Sequence, residues 1–74
     1  MSKPTRITNS IRVLRFARGE MTQAELAQRI GVTRQTIIAI EQGRYSPSLE
    51  VAFQIARVLK VPLDDVFQYP EGEA

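Results

Sequence analysis

The chain has 74 residues, 10 Lys and Arg against 8 Asp and Glu for a formal charge of +2, and neither cysteine nor histidine. That length makes one domain near the lower limit for a core without staples, and the composition excludes a disulfide framework, the usual zinc ligand sets and any triad needing Cys or His, so no cofactor or metal is expected. No apolar run approaches the roughly 18 residues of a membrane span, and the polar start MSKPTRITNS has no signal-peptide core, which together read as a soluble, cytoplasmic chain.

In chain order, Pro4 and scattered polar groups mark residues 1–8 as a flexible N-terminal arm. NSIRVLRFARG places Ile11, Leu14 and a neighbouring Phe16 or Ala17 at helical spacing, and Gly19 stops the helix. TQAELAQRIG offers Thr22 followed three residues later by Glu25, a capping box, with Leu26 and Ile30 as the apolar stripe. Ala27 is small enough for a neighbouring helix to approach closely, and Gly31 can take the positive φ that ends the second helix. Thr33 is the natural N-cap of a third helix carrying Ile37 and Ile40, which Gly43 closes. Ser46-Pro47-Ser48 is a turn ending in another cap. In LEVAFQIARVLK the core stripe is Leu49, Ala52, Phe53, Ile55, Ala56 and Leu59. Pro62 breaks that pattern, and PLDDVF predicts a short fifth helix with Leu63, Val66 and Phe67 inward. Residues 68–74 read as a tail. No strand or internal repeat is evident, so residues 9–67 are expected to form an all-α orthogonal bundle of five short helices.

Two helices of about eight residues, joined by a three-to-four-residue turn opening on Gly, are a helix-turn-helix. Ala27, Val32 and Ile37 lock the pair across the turn at Gly31. The third helix then stands out with Arg34, Gln35 and Thr36 on its exposed first turn, the part that enters a DNA major groove. Charge distribution agrees. Residues 1–44 hold eight bases against three acids, a balance of +5, while residues 45–74 hold two against five, or −3. One half attracts an anion and the other does not.

On these residues, TQAELAQRIGVTRQTIIAIEQGRYSPS resembles the core of the Xre/Cro/CI-type helix-turn-helix family of phage repressors and small bacterial regulators. The likeness covers residues 9–67 and rests on the Thr-Gln helix start, the Leu-Ala pair, the turn glycine and the Ile-x-x-x-Glu-x-Gly ending. It implies a five-helix DNA-binding domain with its recognition helix at Thr33–Gln42 and double-stranded DNA as partner. Carried onto this chain, Gln23 would bond a phosphate beside the N–H groups of a helix start. Thr33 would cap the recognition helix and reach toward a phosphate. Arg34 would read guanine and Gln35 adenine, each bidentately, with Thr36 against a thymine methyl. Arg44 and the backbone N–H of Tyr45 would clamp phosphate across the groove. Arg15 and Glu41 would pair between the first and third helices.

Each role has a plainer structural counterpart. Arg34 and Gln35 could be solvated surface, Gln23 ordinary helix-start polarity, and Arg44 a cation answering the helix dipole. Two departures from the family pattern, Ile38 and Ala39, leave the middle of the recognition helix poor in polar contacts, which concentrates base reading in its first turn.

A domain this small covers few phosphates and bases, and family members pair on half-sites about one turn (~34 Å) apart, so a homodimer is expected. The fourth helix has an apolar arc of about 220°, wider than the ~100° stripe of a one-sided helix. Val51 and Val58 fall outside its core stripe and, with Phe67 and Tyr69, are the candidate two-fold contact.

The function predicted is a sequence-specific DNA-binding transcriptional regulator, most simply a nucleoid-associated repressor binding a palindromic operator as a dimer. An antitoxin or restriction-modification controller autoregulating its operon uses the same chemistry and stays open. A protein-interaction module on the same fold is the alternative of another class, and the basic first turn argues against it. Neither enzymatic activity nor a small-molecule ligand is expected, because no constellation of side chains is present to hold a substrate.

Overall fold

The computed structural model describes residues 5–44 and 46–70. Among them five helices follow one another: α1 (Ile11–Ala17), α2 (Gln23–Ile30), α3 (Arg34–Glu41), α4 (Leu49–Leu59) and α5 (Leu63–Val66). Strands β1 (Thr8–Asn9) and β2 (Phe67–Gln68) pair antiparallel, with Thr8 opposite Gln68 and Asn9 opposite Phe67. No helix among the described residues is long and apolar enough to cross a membrane.

The helix starts follow from short polar side chains. Thr22 Oγ1 accepts the Glu25 N–H at 3.0 Å, Thr33 Oγ1 accepts the Thr36 N–H at 3.2 Å, and Ser48 Oγ accepts the Val51 N–H at 3.2 Å. Each bond satisfies a donor that a helix start leaves orphaned. The capping box at Thr22 is only half formed, because the Glu25 carboxylate turns away to Arg29 at 3.1 Å. Gly31 ends α2 at φ +77°, where its N–H reaches the Ala27 and Gln28 carbonyls. The turn into α3 therefore rests on a residue with no Cβ to resist the left-handed conformation.

Every helix sends at least one fully buried side chain to the centre: Ile11, Leu26, Ile37, Ile40, Ile55, Leu59 and Val66. Burial of each stabilises the fold by about 1.5–3 kcal/mol. Ala27 and Ile37 are buried and Val32 packs beside them, so α2 and α3 are locked across the Gly31 turn.

Three sequence expectations are corrected. Phe16 and Ala17 lie exposed, and α1 reaches the core through Ile11, with Leu14 half-buried. In α4 the inner face is Ala52, Ile55, Ala56 and Leu59; Val51 and Val58 pack half-buried on one flank, while Leu49 (69% exposed) and Phe53 (55%) face out on the other. The apolar arc is wider than the neighbouring elements can cover, and hydropathy alone favoured the larger Leu and Phe as core over the valines. Finally, the β1–β2 pair was expected to be absent. Two residues a side leave no alternating pattern to detect, and the pairing is set up instead by the Ser10 N–H bonding the Val66 carbonyl at 2.9 Å. It takes Thr8 and Gln68, read as arm and tail, into paired backbone.

Candidate nucleic-acid interface

A polar cleft of about 640 Å³ opens between α1, the start of α2 and α3. Arg12 and Arg15 of α1, Thr22 and Gln23 at the head of α2, and Arg34 and Glu41 of α3 line it. Glu41 is its hub. Arg15 Nε donates to Glu41 Oε2 at 2.8 Å and Arg15 Nη2 to Oε1 at 3.2 Å, while Gln23 Nε2 donates to the same Oε1 at 3.2 Å. Arg15 Nη1 also donates to the Met21 carbonyl at 2.7 Å. Both charged side chains are nearly buried, at 11% and 9% exposure. A two-point fork of this kind is geometrically specific and holds α1, α2 and α3 together at one atom group.

The electrostatic consequence is a division of labour among the arginines. Arg15 is neutralised by Glu41 and contributes scaffolding. Arg12 and Arg34 are exposed and form no ion pair among the described residues, so they supply the cleft with uncompensated positive charge. Thr22, Gln23 and Ala24, at the head of α2, line the same space, at the positive end of a helix dipole.

The first turn of α3 presents Arg34 and Gln35 exposed, with Thr36 half-exposed. Thr33 Oγ1 caps the turn and also lies 3.0 Å from Thr36 Oγ1, so the two hydroxyls bond each other. Further along α3, Ile38 and Ala39 are half-buried and offer nothing polar. Arg44 is exposed just past the helix, where Gly43 takes φ +72° and the Arg44 N–H bonds the Ala39 carbonyl at 3.0 Å. It does not line the cleft, although Glu41 and Gln42 just before it do. Tyr45 lies outside the described residues.

The proposed two-fold contact is not brought together in this way. Val51, Val58 and Phe67 pack against the core, whereas Tyr69 is 65% exposed and stacks with Arg6, whose guanidinium is 5.8 Å from the ring centroid.

Two residues of the site were missed in the sequence. Arg12 was counted only as part of the basic bias. Its place two residues into α1, one turn before Arg15, could have put it on the same face. Asn9 is the less visible one. Its Nδ2 donates to the Ile40 and Glu41 carbonyls at 3.1 and 3.4 Å, and its Oδ1 accepts the Ile11 N–H at 3.2 Å. One side chain thus caps the end of α3 and the start of α1, a contact over more than thirty positions that no local pattern reveals.

A helix-turn-helix family profile, HTH_3, matches residues 14–66. Similar proteins include two uncharacterised HTH-type transcriptional regulators. The one from Methanocaldococcus jannaschii is 53% identical over 53 residues, covering 72% of this chain and 80% of that protein. The one from Methanothermobacter thermautotrophicus is 58% identical over 55 residues, covering 73% and 80%. The cryptic phage CTXphi transcriptional repressor RstR of Vibrio cholerae is 37% identical over 59 residues, covering 80% of this chain and 52% of its own. Among solved structures, a candidate DNA-binding protein from Bacteroides fragilis superposes with a TM-score of 0.72 at 26% identity, covering 84% of this chain and 98% of its own. With the locked α2–α3 pair and its exposed first turn, these likenesses make the chain a member of the Xre/Cro/CI-type helix-turn-helix family of DNA-binding transcriptional regulators.

Proposed function

We propose that the protein is a repressor that binds a palindromic operator as a dimer, each copy laying the first turn of α3 in a major groove. One observation carries the proposal: Arg34 and Gln35 stand exposed on the first turn of α3, and Arg34 lines, with Arg12, a cleft in which neither arginine forms an ion pair among the described residues. Arg34 bonds guanine O6 and N7, and Gln35 bonds adenine N6 and N7. Thr36, with its hydroxyl engaged by Thr33, offers chiefly its methyl, which suits a thymine. Phosphates on one side meet Arg12, Gln23 and the head of α2. Arg44 takes a phosphate on the other side. Repression is occlusion of the promoter by the bound dimer, a role supported by the name of the Vibrio cholerae relative.

Selection from random DNA duplexes at two salt concentrations tests this. A palindromic site should emerge, and Arg34→Ala should relax preference at one position in each half-site. Binding that enriches no sequence and vanishes with salt would leave the fold without the function.

A further inference from the structure

We infer that the Leu49–Phe53 face of α4 binds the same face of a second copy of this chain, the two α4 helices running antiparallel about a two-fold axis near Phe53. The inference deepens the dimer in the proposed function by naming its surface, which shares only Phe67 with the one the sequence suggested.

Two large apolar side chains one helical turn apart, Leu49 and Phe53, are more than half exposed. Beside them runs an apolar groove of about 190 Å³, lined by Ile7, Pro47, Leu49, Ala52, Leu63 and Phe67. A two-fold axis near Phe53 sets the Phe53 rings of the two copies beside each other, because in an isologous contact a residue at the axis meets its own counterpart, and the apolar residues flanking it are covered on both sides.

Charge selects the second copy over another partner. Glu50 and Arg57 are exposed on the same side of α4, one before Phe53 and one after, and neither forms an ion pair among the described residues. Antiparallel packing about Phe53 sets Glu50 of each copy against Arg57 of the other. The face is therefore complementary to itself in charge. The other exposed apolar pair, Val13 and Phe16 on α1, adjoins Arg12, which also lines the DNA cleft. A copy docked there would crowd the phosphate-facing residue. No residue of the α4 groove lines that cleft, so DNA and a second copy can be held together.

Sedimentation of the full chain without DNA, across a concentration series, tests the surface. Wild type should be a dimer, and Phe53→Asp should raise the dissociation constant at least ~10-fold with an unchanged circular dichroism spectrum. Glu50→Arg and Arg57→Glu should each weaken the dimer about 10-fold through like-charge contacts, and the double exchange should return it to within about 3-fold of wild type. A wild-type monomer at every concentration would overturn the inference, as would a dimer indifferent to Phe53→Asp or a double exchange that fails to rescue. Binding of wild type to a single half-site duplex is scored separately, so loss of the dimer surface and loss of the DNA-binding reading are distinguished.

Discussion

Arg15 and Glu41, 26 positions apart, meet in a two-point bridge of 2.8 and 3.2 Å that ties α1 to the recognition helix, and Glu41 Oε1, while accepting from Arg15, also accepts from Gln23. The carboxylate thus fixes the Gln23 side chain, the phosphate contact of the proposed function, while cancelling a charge that would otherwise lie nearly buried. Removing one partner strands the other. Glu41→Leu should cost about 3–5 kcal/mol in urea denaturation, and Arg15→Met a similar amount. The double substitution should recover most of that loss, because it removes both charges together. DNA binding by the recovered variant should remain weak, since Gln23 has lost its anchor. A single substitution costing under about 1 kcal/mol would mean that water already screens the pair.

Asn9 predicts a finer effect. Asn9→Ala loses bonds at the end of α3 and the start of α1, and should lower stability by about 1–2 kcal/mol. For a domain of this size each kcal/mol shifts Tm by about 4–8 °C. Asn9→Asp is the sharper test. It keeps the acceptor for the Ile11 N–H but sets a carboxylate against two carbonyl oxygens at the negative end of a helix. The aspartate should be less stable than the alanine, and the opposite order would show that the Asn9 donor is idle.

Arg12 and Arg34 should separate cleanly in binding assays. Arg12→Ala should weaken all sequences alike and reduce the magnitude of the salt slope by about 0.9, the loss of one phosphate contact. Arg34→Ala should cost about 1–3 kcal/mol against the preferred base and relax that position. An unchanged salt slope for Arg12→Ala would remove it from the interface.

How legible the molecule was in its sequence depended on how local each cause is. Thr22, Thr33 and Ser48 act on backbone three residues away, and Gly31 acts on its own φ, so the helix starts and the turn could be read directly. Of the cleft's constituents, Arg15, Gln23, Arg34 and Glu41 were named once a likeness had placed them, and Arg12 was not. Asn9 and the β1–β2 pair join segments far apart in the chain, and their logic appears only when α1 and α5 are already packed. The α4 face was ambiguous for another reason. Apolar residues flank its centre on both sides, and only the packed neighbours decide that the Val51 and Val58 side is covered and the Leu49 and Phe53 side is not.

The end of α4 supplies the last case, because the run LEVAFQIARVLK read as helix through Lys60 and the structure makes Lys60 the cap after Leu59. Lys60 takes φ +62° and ψ +42°, and its N–H reaches the Ala56 and Arg57 carbonyls. This is the position where glycine is usual, as at Gly31, yet here a Cβ crowds the left-handed backbone. The side chain is exposed and makes no ion pair among the described residues, so its removal sacrifices little. Lys60→Gly should therefore raise stability, by about 0.5–1 kcal/mol, with the glycine's greater unfolded-state freedom offsetting part of the relieved strain. Lys60→Ala keeps the Cβ and should show no such gain. Thermal melts of the two variants beside wild type decide it: a glycine variant no more stable than the alanine one would mean that Lys60 sits in this conformation without strain.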